Sequence, residues 1–399
     1  MAEIIRHLRP EELPAAVALH EYAFSLSPEA ATSLVGHLVR PENALGAFDG
    51  DELLAMAIAV PYQSLWDGTP VALGGIGSVC AAPAARQGGT TSRVLRACLI
   101  EMREKGQALS ALYPFSFRYY RQFGYELAGD NTEYKLASRS LASFQKAPGK
   151  VQHLTPEAAL PLIAPLYDAY AAEQQGAFVR DEAVWRGSAL IPWSMNTYHV
   201  AVWSPTTGAA PEGYMLYRIA SEADGRALVV RELVARTPGA LRGLTGYIAN
   251  HESQVANVRL TLPPDSPFAA ILPEQHQLRR QVSPHFMLRL IDLPAALAAR
   301  RPAGPEGRIT LQVTDASAPW NEGAWLLEAA GGRLTATPAP AGATADIETD
   351  IAALAPLYAG YTGVEGLELA GRLKVADRRA ATLLGQWLPR RQAWFNEAF

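Results

Sequence analysis

The sequence predicts an α/β (α+β) protein, and three observations predict it. Short runs with period-two apolar alternation are interrupted by stretches of helical periodicity through the first third of the chain. A second set of runs in much the same order follows a break at Ala147-Pro148-Gly149-Lys150. The character changes again near residue 286, where a turn-rich stretch leads into closely spaced short strands.

Taken in order, residues 3–8 alternate as a strand, and Pro10 opens a helical run carrying Leu13, Val17 and Leu19. Residues 44–48 and 53–60 flank Asp49-Gly50-Asp51 as a hairpin, and a second hairpin turns at Trp66-Asp67-Gly68 and returns through 71–80. A loop over 82–89 leads to a helix at about 90–105, then a strand at 109–113, a helical turn at 117–122 and a strand from Tyr125. Beyond the break, 156–173 reads as a helix, 197–203 with 213–219 as a hairpin, and 227–234 as a strand. Arg236-Thr237-Pro238-Gly239 precedes a helix through Ile248 and a strand at 258–262. That echo suggests an internal duplication, a chance likeness of common α/β parts being the alternative. The last part reads as a strand at 287–291, a short helix at 293–300, strands at 309–313, 323–327 and 333–337, and helices at 351–358 and 378–387. Three domains are expected, over 1–147, 151–285 and 286–399.

Composition narrows the function classes. The chain has 399 residues, 49% hydrophobic and 19% charged, which excludes general disorder. A net charge of −4 with scattered basic residues gives no nucleic-acid footprint. No apolar run approaches the ~20 residues of a membrane span. Cys80 and Cys98 are too few for a disulfide framework or a zinc site, and no metal-ligand cluster is visible. Met1-Ala2-Glu3 begins no signal peptide, so a cytoplasmic protein is expected.

The segment that carries chemistry runs from Gly77 to Leu95, a strand followed by a glycine-containing loop and a helix start. First-turn backbone N–H groups lack intrahelical partners and sit at the positive end of the helix, a ready site for pyrophosphate oxygens. Gly88 and Gly89 allow a ligand to approach the main chain closely. Read alone, this loop fits an ordinary glycine-rich β–α turn somewhat better. Some thirty residues on, Tyr119-Tyr120-Arg121-Gln122-Phe123-Gly124-Tyr125 follows the next strand.

Together these segments resemble the GCN5-related N-acetyltransferase (GNAT) superfamily. The spacing in Pro83-Ala84-Ala85-Arg86-Gln87-Gly88-Gly89, the run Tyr120 to Tyr125, the stretch Met287 to Leu297 and the ending Trp394-Phe395-Asn396-Glu397-Ala398-Phe399 resemble the enhanced-intracellular-survival (Eis) acetyltransferases over essentially the whole chain. The resemblance implies two tandem GNAT folds, each a mixed, mostly antiparallel sheet flanked by helices and the second degenerate, and a C-terminal α+β domain similar to sterol carrier proteins. It implies acetyl-CoA as co-substrate, a hexameric assembly, and transfer of an acetyl group to a primary amine, whether a small amine, a lysine side chain or an aminoglycoside-like acceptor. It places cofactor contacts at Val79, Cys80, Ala81, Arg86, Gln87, Gly88, Gly89, Thr90, Thr91 and Ser92, with Phe115 and Ser116 beside the pantetheine. It makes Tyr120 the general acid and the terminal carboxylate of Phe399 the general base. Phe24, Leu26, Leu34, Ser78 and Ala398 are then expected around the acceptor. Two departures stand out: Thr91 replaces the small residue the superfamily favours, and only Arg86 remains where many relatives carry three arginines.

The proton balance is uneven. A phenol near ~10 donates to a thiolate near ~8.5 with little driving force, and an α-carboxylate near ~3.5 faces an ammonium near ~10.4. Burial narrows the second gap. Around Phe24 to Leu34 the only acid is Glu29, so the expected pocket is apolar and suits a monoamine or lysine-like chain better than a polycation. The competing class is a non-catalytic binder of an apolar ligand with a vestigial first fold; a longer acyl donor is a third reading.

Overall fold

The structure is a computed structural model, and it describes residues 3–86, 88–190, 198–223, 225–397 and 399. The first part runs β1 (Ile4–His7), α1 (Leu13–Phe24), α2 (Pro28–Leu38), β2 (Ala44–Asp49), β3 (Glu52–Trp66), β4 (Thr69–Ala81), α3 (Thr90–Glu104), β5 (Leu109–Leu112), α4 (Phe117–Arg121) and β6 (Glu126–Ala137). The middle part runs β7 (Lys150–Leu154), α5 (Pro156–Ala171), α6 (Glu182–Val184), β8 (His199–Ser204), β9 (Gly213–Glu222), β10 (Gly225–Ala235), α7 (Pro238–Ala249), β11 (Asn257–Leu262) and α8 (Phe268–Ile271). After β12 (Arg279–Leu290) come α9 (Leu293–Ala298), β13 (Gly307–Thr314), β14 (Gly323–Ala330), β15 (Arg333–Pro338), β16 (Ile347–Asp350), α10 (Ile351–Tyr358), α11 (Val364–Leu369), β17 (Leu373–Val375) and α12 (Arg378–Trp387).

One twelve-stranded sheet joins the first two parts, in the order β1-β2-β3-β4-β5-β12-β6-β11-β10-β9-β8-β7. β12 is the splice: it pairs antiparallel with both β5 and β6. The expected start of the third unit at 286 lies inside this strand. Its first half, Arg279 to His285, carries Pro284 and polar residues, so no alternation marks it in the sequence. A five-stranded sheet, β15-β14-β13-β16-β17, forms the C-terminal layer.

The sequence echo is structural. In the first part β4 and β5 are parallel and joined through α3, and in the middle part β10 and β11 are parallel and joined through α7. The two helix starts differ. Thr237 caps α7 by accepting from Ala240 N–H at 3.2 Å, while its hydroxyl donates to Glu212 at 2.6 Å. The N-cap of α3 is Gly89, in the left-handed region at φ 72°, with no side-chain cap among the described residues.

Candidate active site

The site is built where two strands part. β4 pairs with β5 only through Leu73 to Ile76, so the next stretch of β4 has no β5 partner on that side. A bulge sits there: Met56 faces Cys80 while Ile58 faces Gly77, which puts one extra residue into β4. Ser78 absorbs it with φ 50°, a conformation non-glycine residues seldom adopt. The bulge divides two cavities. Ser78 lines the first, of about 630 Å³, and Val79, Cys80 and Ala81 line the second, of about 540 Å³. Phe24, at the end of α1, lines both.

The second cavity continues to the start of α3, with Arg86, Gly89, Thr91, Ser92, Phe115 and Tyr119 on its wall. Gly88 is exposed beside it, and a Cβ there would meet nothing closer than 3.8 Å. Arg86 is exposed, and its guanidinium lies 5.4 Å from the Tyr22 ring. Uncapped first-turn amides, an open glycine and one guanidinium fit a pyrophosphate. Thr90 is turned away and buried, donating to Glu3 at 2.9 Å. Ser116 caps α4 through Tyr119 N–H at 3.3 Å, so its hydroxyl serves the helix. Burial pushes the Cys80 thiol up to about 12, which leaves it an unreactive neutral group. Gln87 lies outside the described residues, as does Ala398.

Tyr120, on α4, is buried behind Phe115 and Tyr119, with ring centroids at 5.2 and 5.3 Å. Burial, then the neighbouring phenols Tyr119 and Tyr125, hold its hydroxyl well above the usual tyrosine range. It is therefore protonated at any physiological pH. Its hydroxyl has no hydrogen-bond partner among the described residues, yet it is not among the sealed unpaired polar atoms. Tyr125, by contrast, is tied to Ser110 at 2.7 Å.

The first cavity receives the end of the chain. A Cβ built on Gly77 would stand 2.7 Å from the Phe399 carboxyl carbon, and one on Gly75 would stand 2.8 Å from its ring. Only glycine lets the tail lie on β4 here. The Phe399 ring packs against Tyr62 and Tyr113, at centroid distances of 5.5 and 5.0 Å. Two residues back, buried Glu397 accepts from Arg180 Nε. The same guanidinium pairs both ways with Glu232, at 2.9 and 2.6 Å, and Tyr214 donates to Glu232 at 2.7 Å. Asn396 also donates to Glu232, at 3.0 Å. Phe395 stacks flat on Phe286 at 3.9 Å. Phe24, Leu26, Leu34 and Ser78 all line this cavity.

Sequence reasoning missed the tail's seat. Gly75 and Gly77 carried a readable signal, glycines inside a strand marking close backbone approach. Arg180, Glu232 and Tyr214 carried none, because their pairing across more than fifty residues or across strands leaves no local spacing.

Comparison with known proteins agrees with this architecture. Residues 4–128 and 176–290 each match the acetyltransferase (GNAT) domain family, and residues 293–396 match the sterol carrier protein domain family. The chain is thus an acetyltransferase with two GNAT domains and a sterol-carrier-type third. An uncharacterised N-acetyltransferase of Streptomyces griseus is 27% identical over 360 residues, covering 84% of each chain. The N-acetyltransferase Eis of Mycobacterium tuberculosis is 26% identical over 377 residues, covering 88% of each. The crystal structure of a GCN5-related N-acetyltransferase from Anabaena variabilis superposes with a TM-score of 0.91 at 25% identity over the whole of both chains. The chain belongs to the Eis-type acetyltransferases of the GNAT superfamily.

Proposed function

We propose that the protein moves an acetyl group from acetyl-CoA directly to a primary amine, with the two substrates meeting at the Ser78 bulge. The observation that carries this is the Phe399 carboxyl group in the first cavity, lying against Gly77 and so next to the Ser78 bulge beyond which the second cavity begins. The second cavity holds the coenzyme: amides of α3's first turn and Arg86 take the pyrophosphate, and the unpaired edge of β4 takes the pantetheine arm. Acetyl-CoA supplies the acetyl thioester. The main-chain N–H groups after the bulge stabilise negative charge as it develops on the carbonyl oxygen. The Phe399 carboxylate orients the ammonium and takes one proton from it, directly or through water, passing it to solvent so that a neutral amine attacks; the second nitrogen proton leaves by the same route after the carbon–nitrogen bond has formed. Tyr120 donates its proton to the departing sulfur as the carbon–sulfur bond breaks, and recovers one from solvent. The products are an amide and free CoA.

Thermal shift with acetyl-CoA and an amine screen with free-thiol detection test this together. Stabilisation by the coenzyme plus amine-dependent CoA release is expected. A protein that millimolar acetyl-CoA does not stabilise is instead the apolar-ligand binder with a vestigial first fold.

A further inference from the structure

The acceptor cavity is charged unevenly. The wall contributed by the first part and the tail carries the Phe399 carboxyl group, with Ser78 and Tyr113 beside it. Strands β9 and β10 contribute Arg218, Val229 and Arg231 to the lining. Phe24, Leu26, Leu34 and Leu38 give the same cavity an apolar surface. The two arginines are not equivalent. Arg231 spends its guanidinium on the carbonyls of Ser188, Ala189 and Asn396, at 2.8, 3.1 and 3.0 Å. Arg218 is half-buried and has no hydrogen bond or ion pair among the described residues.

The register makes that isolation pointed. Arg218 faces Val229, and Val229 faces Arg259, so the two arginines lie in one cross-strand row. Arg259 has Glu222 at 3.2 Å and Glu133 at 3.7 Å. Arg218, the member that reaches the cavity, has no counter-charge among the described residues. The lining carboxylate of Glu397 is already bonded to Arg180. His285, the lining histidine, is held neutral by burial, so it adds no competing positive charge at pH 7. An unpaired guanidinium on a partly desolvated wall is a fork for a carboxylate or phosphate.

Resting on the acetyltransferase reading above, we propose that the acceptor carries an anionic group of its own. It is a primary amine joined through an apolar body to a carboxylate or phosphate, and Arg218 binds that far end while the amine lies at Phe399. Such a molecule matches both charges, whereas a polycation would set its second charge against Arg218 and Arg231.

The test compares kcat/KM across matched series of n-alkylamines, ω-amino acids, aminoalkyl phosphates and α,ω-diamines. One of the two anionic series is expected to exceed the alkylamines by about tenfold or more, with the diamines lowest. Comparing the ω-amino acids with the aminoalkyl phosphates tells carboxylate from phosphate. In Arg218→Gln the ratio of anionic to plain acceptor collapses towards one, and Arg218→Lys restores part of it. Calorimetric binding of the same acceptors to the CoA-bound protein gives a second readout, in which the anionic preference is expected again and is lost in Arg218→Gln. Alkylamines or diamines equal to both anionic series in both readouts would overturn the inference, as would a ratio untouched by Arg218→Gln. Failure of acetyl-CoA to stabilise the protein would instead sink the transferase reading beneath it.

Discussion

At Gly77 a single hydrogen is all that separates strand β4 from the end of the chain. Gly77 does not adopt a positive φ, so alanine there is tolerated by the backbone and intolerable only to the tail, whose carboxyl carbon and oxygen would lie 2.7 and 3.2 Å from the new methyl. Gly77→Ala is expected to lower kcat about a hundredfold, the scale of a 1 Å misplacement, while keeping the acetyl-CoA thermal shift. Unchanged turnover would show that the carboxylate is idle. Tyr120→Phe makes the complementary case. The hydroxyl it removes has no partner among the described residues, so stability should move by less than about 1 kcal/mol. Loss of the acid should cost ~10²-fold or more in kcat. A large fall in melting temperature would reveal Tyr120 as a packing residue.

Among the elements, the extended tail after α12 is the one whose placement depends most on distant partners. Arg180 holds Glu397 and Glu232 together with both carboxylates buried, and its guanidinium lies 3.8 Å over the Tyr167 ring. Arg180→Leu would leave two buried carboxylates without their cation, at a cost of ~3–5 kcal/mol measured by denaturant unfolding. The pH dependence follows from Glu232. Burial alone would raise its pKa, but Arg180 and the hydrogen bonds it receives outweigh burial and hold it at about 2, below its ordinary 4.5. A carboxyl depressed by folding contributes stability that is fully present above pH 4.5 and lost as pH falls towards 2. Melting temperature should therefore decline through that window, and the decline should be weaker in Glu232→Gln. Hairpins and helices were readable because their signals are local. Trp66-Asp67-Gly68 announces a turn that the chain makes with φ of 49° and 74° at Asp67 and Gly68, and Asp377 caps α12 where the sequence begins it. Helix α2 was not read, although Ser27 caps it and Pro28 opens it, because the preceding helical run masked a second start. The glycine loop and Tyr120 were legible as a motif; the clamp on the tail was not, since ion pairs between distant segments leave no period in a sequence.

Across the whole molecule, the three parts share one interior. The twelve-stranded sheet is continuous, and β12 is held on one side by β5 and on the other by β6. The largest apolar cluster takes Trp66 and Leu109 from the first part, Phe178 from the middle and Ile309, Leu354 and Trp387 from the last. The Asp67 turn accepts from Arg300 Nε at 2.7 Å and from Arg301 N–H at 3.1 Å, and its own amide donates to Gln175 at 3.2 Å, which ties one hairpin to both other parts. A chain near 400 residues commonly unfolds domain by domain. Here no unit can leave without stripping the apolar surface of the others, so thermal unfolding should be a single transition. Far-UV circular dichroism and tryptophan fluorescence should coincide, with Trp203 in the middle part melting alongside Trp325 and Trp387 in the last. Acetyl-CoA should move the whole transition upward, although the site proposed for it lies in the first part, because binding to the native state stabilises whatever unfolds with it. Two resolved transitions, only one of them shifted by the coenzyme, would mean that β12 and the shared core join the parts without coupling them.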